Sequence, residues 1–158
     1  MESDLPRIVE IYNAAIPGRR STADTDPVTV EARVEWLRDR DPARRPVWVL
    51  EHDDDIAAWI SLQSFYGRPA YHETAEVSLY VDPRHHGKGF GALLMERMIA
   101  SCPRMGVRTL LGFVFTHNEA CIALNRKFGF RRWGLLPAVA EIDGARYDLA
   151  IDGLEIDG

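Results

Sequence analysis

Residues 84–91, R-H-H-G-K-G-F-G, combine three glycines with four side chains that carry or can acquire positive charge, in a chain of net charge −5. Those side chains are Arg84, His85, His86 and Lys88. Glycine lets a ligand approach the backbone closely, and basic side chains attract an anion. A helix pattern follows directly, so its free N–H groups and positive dipole end would face the same point. The segment therefore predicts a phosphate-binding turn.

Three interpretations of this turn can be weighed on its residues alone. A turn whose glycines serve geometry only would bind nothing. A Walker phosphate loop requires Ser or Thr after its lysine, whereas Gly89 follows Lys88. A dinucleotide-binding fingerprint fits halfway, as Gly87-x-Gly89-x-x-Ala92, but no acidic residue ends the next strand to bind a ribose.

Hydrophobic spacing predicts the elements on either side of the turn. Before it, residues 76–81 alternate as a strand does, with Val77, Leu79 and Val81 on one face and Glu76, Ser78 and Tyr80 on the other. Pro83 ends this strand, because proline has no N–H to donate to a ladder. After the turn, four residues have the spacing of one helix face: Phe90, Leu93, Leu94 and Met98.

Composition excludes several other classes of protein. The 158 residues, 46% hydrophobic and 27% charged, suit a single domain over residues 1–158. A pI near 5.5 argues against a nucleic-acid partner. There is no apolar run long enough for a membrane span and no signal peptide, so we expect no membrane partner and a cytoplasmic location. Two cysteines make no disulfide framework, and the five histidines show no metal-ligand spacing.

The element order predicted along the chain is α-α-β-β-β-α-β-α-β-β, a mixed α/β (α+β) sheet with helices on its faces. The expected helices are residues 4–15 with Ser3 as N-cap, 30–40 with Thr29 as N-cap, the helix after the glycine-rich turn, and 118–128 opened by Asn118. The other expected strands are 47–51, 56–65, 107–115, 130–140 and 145–151, with hairpin turns at Asp53–Asp55 and Asp143-Gly144.

The turn Arg84-His85-His86-Gly87-Lys88-Gly89 resembles, position for position, the Arg-x-x-Gly-x-Gly pyrophosphate loop of the GNAT (GCN5-related) N-acetyltransferases. The element order resembles their acyl-CoA N-acyltransferase fold without its first strand, since Met1 lies almost on the first helix cap. Either that edge strand is absent or another segment covers the edge. The segments F-Y-G-R-P-A-Y at 65–71 and N-E-A-C-I-A-L-N-R-K-F-G-F at 118–130 resemble the phosphinothricin and methionine sulfoximine N-acetyltransferase-like subfamily.

The resemblance implies transfer of acetyl from acetyl-CoA, without a metal, to the amine of a small amino acid or analogue, by a homodimer. Two other functions stay open. One is acetylation of a different amine, such as a peptide N-terminus or a polyamine. The other is a non-catalytic sensor that binds acyl-CoA.

The same resemblance implies the residues that hold acetyl-CoA. The backbone of Leu79, Tyr80 and Val81 would meet the acetyl group and pantetheine arm, where a bulge separates this strand from 107–115 and frees N–H groups for the thioester oxygen. Asn118 would lie beside the pantetheine arm, although it could be a plain N-cap. The residues implied at the phosphates are Arg84, Gly87, Lys88, Gly89, Phe90, Gly91, Ala92 and Lys127, of which Lys88 and Lys127 could equally be solvated lysines.

For catalysis the resemblance implies Glu76 as the general base, which takes a proton from the bound ammonium directly or through one water. The alternative is a solvated or salt-bridged glutamate. Asn125 stands where many relatives carry Tyr or His to protonate the departing thiolate, and asparagine gives up no proton. A free thiol has a pKa of ~8.5, so water could supply that proton late, and Tyr80 is another possible donor. Cys121, near a helix start, is expected to be a packing residue rather than a nucleophile.

On the acceptor side the resemblance implies a loop formed by Arg68, Pro69 and Ala70. Arginine pairs naturally in a bidentate manner with a carboxylate or phosphinate. The alternative is a surface arginine before a proline. Val77 and Ser78 are expected to line the same pocket as Glu76.

Overall fold

A computed structural model describes residues 1–157 of the chain. In this range the strands are β1 (Val47–His52), β2 (Asp55–Ser64), β3 (Thr74–Val81), β4 (Thr109–Phe115), β5 (Arg131–Ile142) and β6 (Ala145–Glu155). The α-helices are α1 (Leu5–Ala15), α2 (Val30–Arg38), α3 (Phe90–Ser101) and α4 (Glu119–Lys127). The predicted order of helices and strands is confirmed.

The strands form one sheet in the order β1-β2-β3-β4-β6-β5. Its neighbours are antiparallel except for β3 and β4, which run parallel and are joined through α3. Two short hairpins follow the predicted turns. Asp53 and Asp54 both have positive φ, as do Asp143 and Gly144, and this is what a two-residue type I′ hairpin turn requires. The expected mixed-sheet fold class is confirmed.

Apolar cores lie on both faces of the sheet. Under α3 the sheet contributes Ile60, Leu62 and Leu110, all fully buried. On the other face α1 packs Ile8 and Ile11 against Trp59 of β2, with α2 beside it. None of the described helices has the length and apolar character that crossing a membrane would take.

Two local predictions need correction. Ser3 is not the N-cap of α1: it lies in a 3-10 turn, Glu2–Asp4, and Asp4 holds the cap position. Leu93 is 44% exposed, and Met95, 2% exposed, takes the inward position with Leu94. At about 100° per residue, Leu93 falls outside the arc that Leu94, Met95 and Met98 share.

The strand that the resemblance places before the first helix is not found in residues 1–157. Only the turn Glu2–Asp4 precedes α1, and β1 is the edge strand of the sheet. The N-terminal turn and α2 flank that edge and leave an open cavity of about 270 Å³ beside it. Its lining residues are Met1, Asp4, Ile8, Leu37, Val47, Trp48 and Val49.

Candidate active site

β3 and β4 pair at their first residues and then separate. The pairs are Thr74–Thr109, Ala75–Leu110 and Glu76–Leu111, after which both strands continue without each other. The register of β3 with β2 and of β4 with β6 has no shift. The strands therefore separate without the bulge that was expected, and they leave a wedge that opens from Glu76 towards the carboxyl ends of both strands.

The hydrogen bonds at the two ends of the β2–β3 ladder show which backbone groups face this wedge. Phe65 N donates to the carbonyl of Thr74, and Asp82 N donates to the carbonyl of Ala57. Because antiparallel pairs alternate, the even-numbered residues of β3 direct their backbone at β2, and Leu79 and Val81 direct theirs into the wedge. Leu79 and Val81 thus fit the expected contact with a thioester, whereas the backbone of Tyr80 is turned away from it.

The glycine-rich turn ends at a helix N-terminus without a side-chain cap. Gly87 and Gly89 have φ of +78° and +81°, a region that glycine enters without strain. Gly89 is the N-cap of α3, and no side chain bonds to this end, whereas Thr29 caps α2 and Asn118 caps α4. The first N–H groups of α3, those of Phe90, Gly91 and Ala92, have no partner within a helix and suit an anion.

Gly91 brings this helix end close to the wedge. A Cβ on Gly91 would lie 3.4 Å from Leu79 Cδ2, 3.6 Å from Val81 Cγ2 and 3.7 Å from Leu124 Cδ2. The first turn of α3 therefore packs directly on the part of β3 whose backbone is free, with α4 alongside. An anion at the turn and a thioester in the wedge would belong to one continuous site.

The side chain of Arg84 is engaged within the protein. Its guanidinium donates to both carboxylate oxygens of Asp82, at 2.8 and 3.1 Å to Oδ2, and to Asp55 Oδ2 at 3.1 Å. Arg7 also pairs with Asp82 and Asp55, and these arginines hold the pKa of Asp82 far below its usual range. Arg84 thus fixes the turn to the end of β3.

Two lysines expected at the phosphates remain at the surface. Lys88 Nζ lies 3.0 Å from His85 Nδ1, and Lys88 is exposed at the mouth of the turn. His86 donates from Nε2 to the carbonyl of Val81, which ties the turn to the wedge strand. Lys127 is exposed on α4, with Nζ 5.7 Å from the ring centre of Phe128.

Glu76 lies on the face of β3 opposite to α3. Its carboxylate accepts no hydrogen bond from the described residues, and burial raises its pKa, an effect that the nearby charge of Arg40 opposes. Such a carboxylate is a stronger proton acceptor than an exposed glutamate. Ser78 shares this face, but Val77 is 8% exposed in the core beneath α3, so the expectation that Val77 lines the same pocket is wrong.

Tyr80 lies on the Glu76 face and holds a loop segment. Its ring stacks on Trp59 at 4.8 Å and meets Tyr12 edge-on, and its hydroxyl donates to the carbonyl of Ser21 at 3.1 Å. Burial raises the pKa of Tyr80 above its usual value. A tyrosine in this state is a poor source of protons, so the expected role of Tyr80 as the acid has no support in its surroundings.

Residues 19–21, here called the bridging segment, cross the open end of the wedge on this face. Besides Tyr80, two residues just after β4 bind them: His117 Nε2 donates to the carbonyl of Arg19 at 2.7 Å, and Asn118 Nδ2 to that of Arg20 at 3.1 Å. The side chain of Asn118 also caps α4 through Oδ1. The segment closes one face of the wedge, so a cofactor would enter from the α3 and α4 side.

Comparison with known proteins then decides the family. A profile of the acetyltransferase (GNAT) family matches residues 5–130. The chain belongs to this family. The expectation of an acetyl-CoA-dependent acetyltransferase is thereby confirmed.

Individual relatives of this GNAT chain point to one subfamily. YwnH, a candidate phosphinothricin acetyltransferase of Bacillus subtilis (strain 168), is 48% identical over 97% of this chain and 94% of its own. The L-methionine sulfoximine/L-methionine sulfone acetyltransferase of Pseudomonas aeruginosa is 30% identical over 98% of this chain and 91% of its own. The structure of YncA from Salmonella typhimurium with its cofactor acetyl-CoA superposes with a TM-score of 0.92. The two chains are 29% identical, and the match covers 99% of this chain and 91% of YncA. The expected subfamily resemblance is confirmed.

Asn125, the departure from the GNAT pattern, lies in a buried polar contact. It is 2% exposed, and its Nδ2 donates to Asp152 Oδ2 at 3.1 Å above Gly112. Asp152 also accepts from Arg132 Nε at 2.7 Å. The amide thus joins α4 to β6, a structural task that requires no proton transfer. Burial raises the pKa of the neighbouring Cys121 thiol to about 11, which suits the expected packing residue.

Arg68 meets other basic residues in this GNAT chain. It lines a cavity of about 310 Å³ with Arg44, Arg45 and His72, among others, and Glu76 is not part of that lining. Pro69 and Ala70, the other expected substrate residues, form an exposed 3-10 turn with Tyr71. Arg68 thus lies at a cavity beside the α2–β1 turn whose lining does not include Glu76.

Replacing Asn125 with histidine or tyrosine should destabilise the protein and should not speed the reaction. The site is closed by Asp152 and Gly112, so a larger ring should cost about 1–3 kcal/mol of unfolding free energy. Thermal unfolding measures this loss, and Arg126→His, on the exposed face of α4, is the control that should keep its Tm. A rise in kcat confined to pH above about 8.5 in either variant would show that thiolate protonation limits the enzyme.

Proposed function

We propose that this chain acetylates the α-amine of a small amino acid or amino-acid analogue of the phosphinothricin or methionine sulfoximine type, as a cytoplasmic enzyme with Glu76 as general base. The observation that carries the proposal is the wedge between β3 and β4. Its free backbone lies next to the uncapped end of α3, and an unpaired carboxylate with a raised pKa lies at its closed end. The relatives named above support the type of acceptor.

Each part of the site has one task in this reaction. Acetyl-CoA supplies the thioester, its pyrophosphate held by the turn from Gly87 to Ala92. The N–H of Leu79 or Val81 donates to the thioester oxygen as negative charge develops there. Glu76 removes a proton from the acceptor ammonium, directly or through one water. The C–N bond forms as the C–S bond breaks, and the nitrogen releases its second proton to water as the amide forms. With a thiol pKa of ~8.5, the thiolate leaves and takes its proton from water, since Asn125 provides none.

Two alternatives differ from this proposal in their observable products. A GNAT enzyme for a polyamine or a peptide N-terminus would keep the wedge and Glu76 but would not require an acidic group on the acceptor. A sensor would bind acyl-CoA without turnover. The half-buried Glu76, whose carboxylate accepts no hydrogen bond from the described residues, favours an enzyme. Partial burial of a carboxylate without hydrogen-bond partners lowers the stability of the fold, and a sensor would gain nothing from it.

We also propose a homodimer, as the resemblance implies. The edge strand β5 exposes four large apolar residues: Trp133 (49%), Leu135 (49%), Leu136 (40%) and Val139 (55%). Exposed apolar groups gathered on one strand are typical of a contact with another chain. Sedimentation should give about twice the chain mass of 17.9 kDa, and a mass of one chain at micromolar concentration would contradict the proposal.

Release of free thiol from acetyl-CoA over a panel of acceptors tests the function directly. The panel holds L-methionine sulfone, L-methionine sulfoximine, phosphinothricin, spermidine, a short peptide and a blank without amine. We expect release with the three amino-acid analogues and formation of their N-acetyl products by mass spectrometry. Release confined to spermidine or the peptide would favour the other enzyme, and acetyl-CoA binding without any release would favour the sensor.

A further inference from the structure

α2 directs one row of side chains at the sheet face that carries Glu76. Arg33, Trp36 and Arg40 recur at intervals of three and four residues, so they share one side of the helix and its C-terminal continuation. Trp36 meets Trp59 of β2 edge-on at 6.0 Å, which places the row over the β2–β3 surface. On that surface Trp59 pairs with Tyr80 and Gln63 pairs with Glu76.

The two arginines of this row differ in how they are used. Arg40 donates to the carbonyls of Trp36 and Leu62 and lies 3.4 Å from Gln63 Oε1, and its guanidinium lies 4.2 Å from the centre of the Trp36 ring. Burial lowers the pKa of Arg40 to about 10, so it stays charged at neutral pH. Its hydrogen-bonding capacity is largely taken, and its remaining influence on Glu76 is that of a nearby charge.

Arg33 is held in place but makes no side-chain hydrogen bond to the residues that the structure describes. Its guanidinium lies 4.7 Å from the ring centre of Tyr12 and 5.2 Å from that of Trp36. Among residues 1–157 its nearest carboxylate is Asp24, with Nη2 3.8 Å from Oδ2, and Asp24 already accepts from the Tyr12 hydroxyl. The side chain is 23% exposed. Two rings therefore orient a planar donor whose N–H groups remain available.

The surroundings of Arg33 connect it to the proposed acceptor site. Tyr12, beside it, packs edge-on against Tyr80, and Ser78 lies between Tyr80 and Glu76 on the same face of β3. The charge of Arg33 also acts on Tyr80 and on Arg40, which itself acts on Glu76. A small acceptor on this face would lie between Glu76 and Arg33, with its amine towards Glu76 and its acidic group towards Arg33.

We propose that Arg33 binds the carboxylate or phosphinate of the acceptor and thereby selects amino acids over simple amines. The proposal rests on the proposed function and names the residue that sets its acceptor class. A guanidinium presents two parallel N–H groups to such an anion, and rings that fix its plane reduce the entropy lost on binding. Arg68, the arginine indicated by sequence, instead lies in the separate cavity with Arg44 and Arg45.

The test compares L-methionine sulfone with the amine left when its carboxylate is removed, 3-(methylsulfonyl)propylamine. Arg33→Gln should raise KM for the amino acid about 10–100-fold, since a charge-assisted pair is lost, while kcat/KM for the amine changes less than about threefold. Arg33→Lys, which keeps one charged donor, should fall between wild type and Arg33→Gln. Arg38→Gln, on the exposed side of α2 where Arg38 pairs with Glu2, is the matched control and should behave as wild type.

Several results would overturn the proposal. An equal loss for both acceptors in Arg33→Gln would make Arg33 a structural residue. A selective loss in Arg68→Gln but not in Arg33→Gln would move the anchor to Arg68. A wild-type enzyme that acetylates both acceptors with the same kcat/KM would have no residue that binds the acceptor carboxylate. This measurement uses the wild-type protein alone and does not depend on the folding of any variant. Acetylation of the amine alone would refute the proposed function, and the anchor with it.

Discussion

Glu76→Gln should lower kcat by about 10²–10⁴-fold while acetyl-CoA still binds. Glutamine keeps the size of the side chain but accepts no proton, so the acceptor must lose its proton to water. Burial raises the pKa of Glu76, and the base works only when ionised. As pH is lowered, the wild-type kcat/KM should therefore fall with an apparent pKa above the ordinary glutamate value of 4.5. The Glu76→Gln variant should not show this fall.

Glu73→Gln is the matched control for this experiment. Glu73 lies just before β3, is exposed and lies 3.5 Å from Arg108 Nε, so its loss changes the net charge equally without touching the wedge. Its kcat should stay within about twofold of wild type, because exposed ion pairs contribute little. If Glu76→Gln also kept kcat within about threefold of wild type, measured at a pH below the pKa of the acceptor amine, Glu76 would be a structural residue.

Gly89→Val should weaken acetyl-CoA binding about 10–100-fold, since it places a branched side chain where the phosphates need free N–H groups. Gly89 has φ of +81°, so part of the effect will be backbone strain. Gly144, in the β5–β6 turn, has the same φ of +81°, and in both glycines a Cβ would meet no atom within 4 Å. Gly144→Val therefore reproduces the strain at a distance from the turn.

Calorimetry with acetyl-CoA and thermal unfolding separate the two effects. Both variants should lose similar stability, and only Gly89→Val should lose affinity. Unchanged affinity in folded Gly89→Val protein would remove the glycine-rich turn from the cofactor site. Equal losses of affinity in both variants would mean that global stability, and not the turn, controls binding.

Sequence alone predicts what depends on neighbours along the chain. The glycine-rich turn, the Asn118 cap and the Asp143-Gly144 hairpin each follow from a few consecutive residues, and the structure contains all three. The alternation of β3 also separated Val77 from Glu76. The expectation that Val77 lines the acceptor pocket failed because it ignored that alternation.

Sequence alone could not predict contacts between residues that lie far apart in the chain. The local sequence indicates Arg84 as a phosphate ligand, but in the fold its side chain donates to Asp55, which lies 29 residues earlier. Asn125 looks like a catalytic position until Asp152, 27 residues later, accepts from it. The bridging segment is held by His117 and Asn118 across 98 residues, and no local pattern marks such a contact. The wedge itself depends on the register of two strands that 27 residues separate, which only the fold determines.

The structure of this protein with acetyl-CoA and L-methionine sulfone bound would test most directly whether the wedge is the active site. We expect the thioester oxygen within about 2.7–3.1 Å of the backbone nitrogen of Leu79 or Val81. We also expect the pyrophosphate on the turn from Gly87 to Ala92, and the acceptor amine within hydrogen-bond reach of Glu76 directly or through one water. A thioester bound outside the wedge, or an amine on the α3 face of β3 away from Glu76, would contradict this expectation.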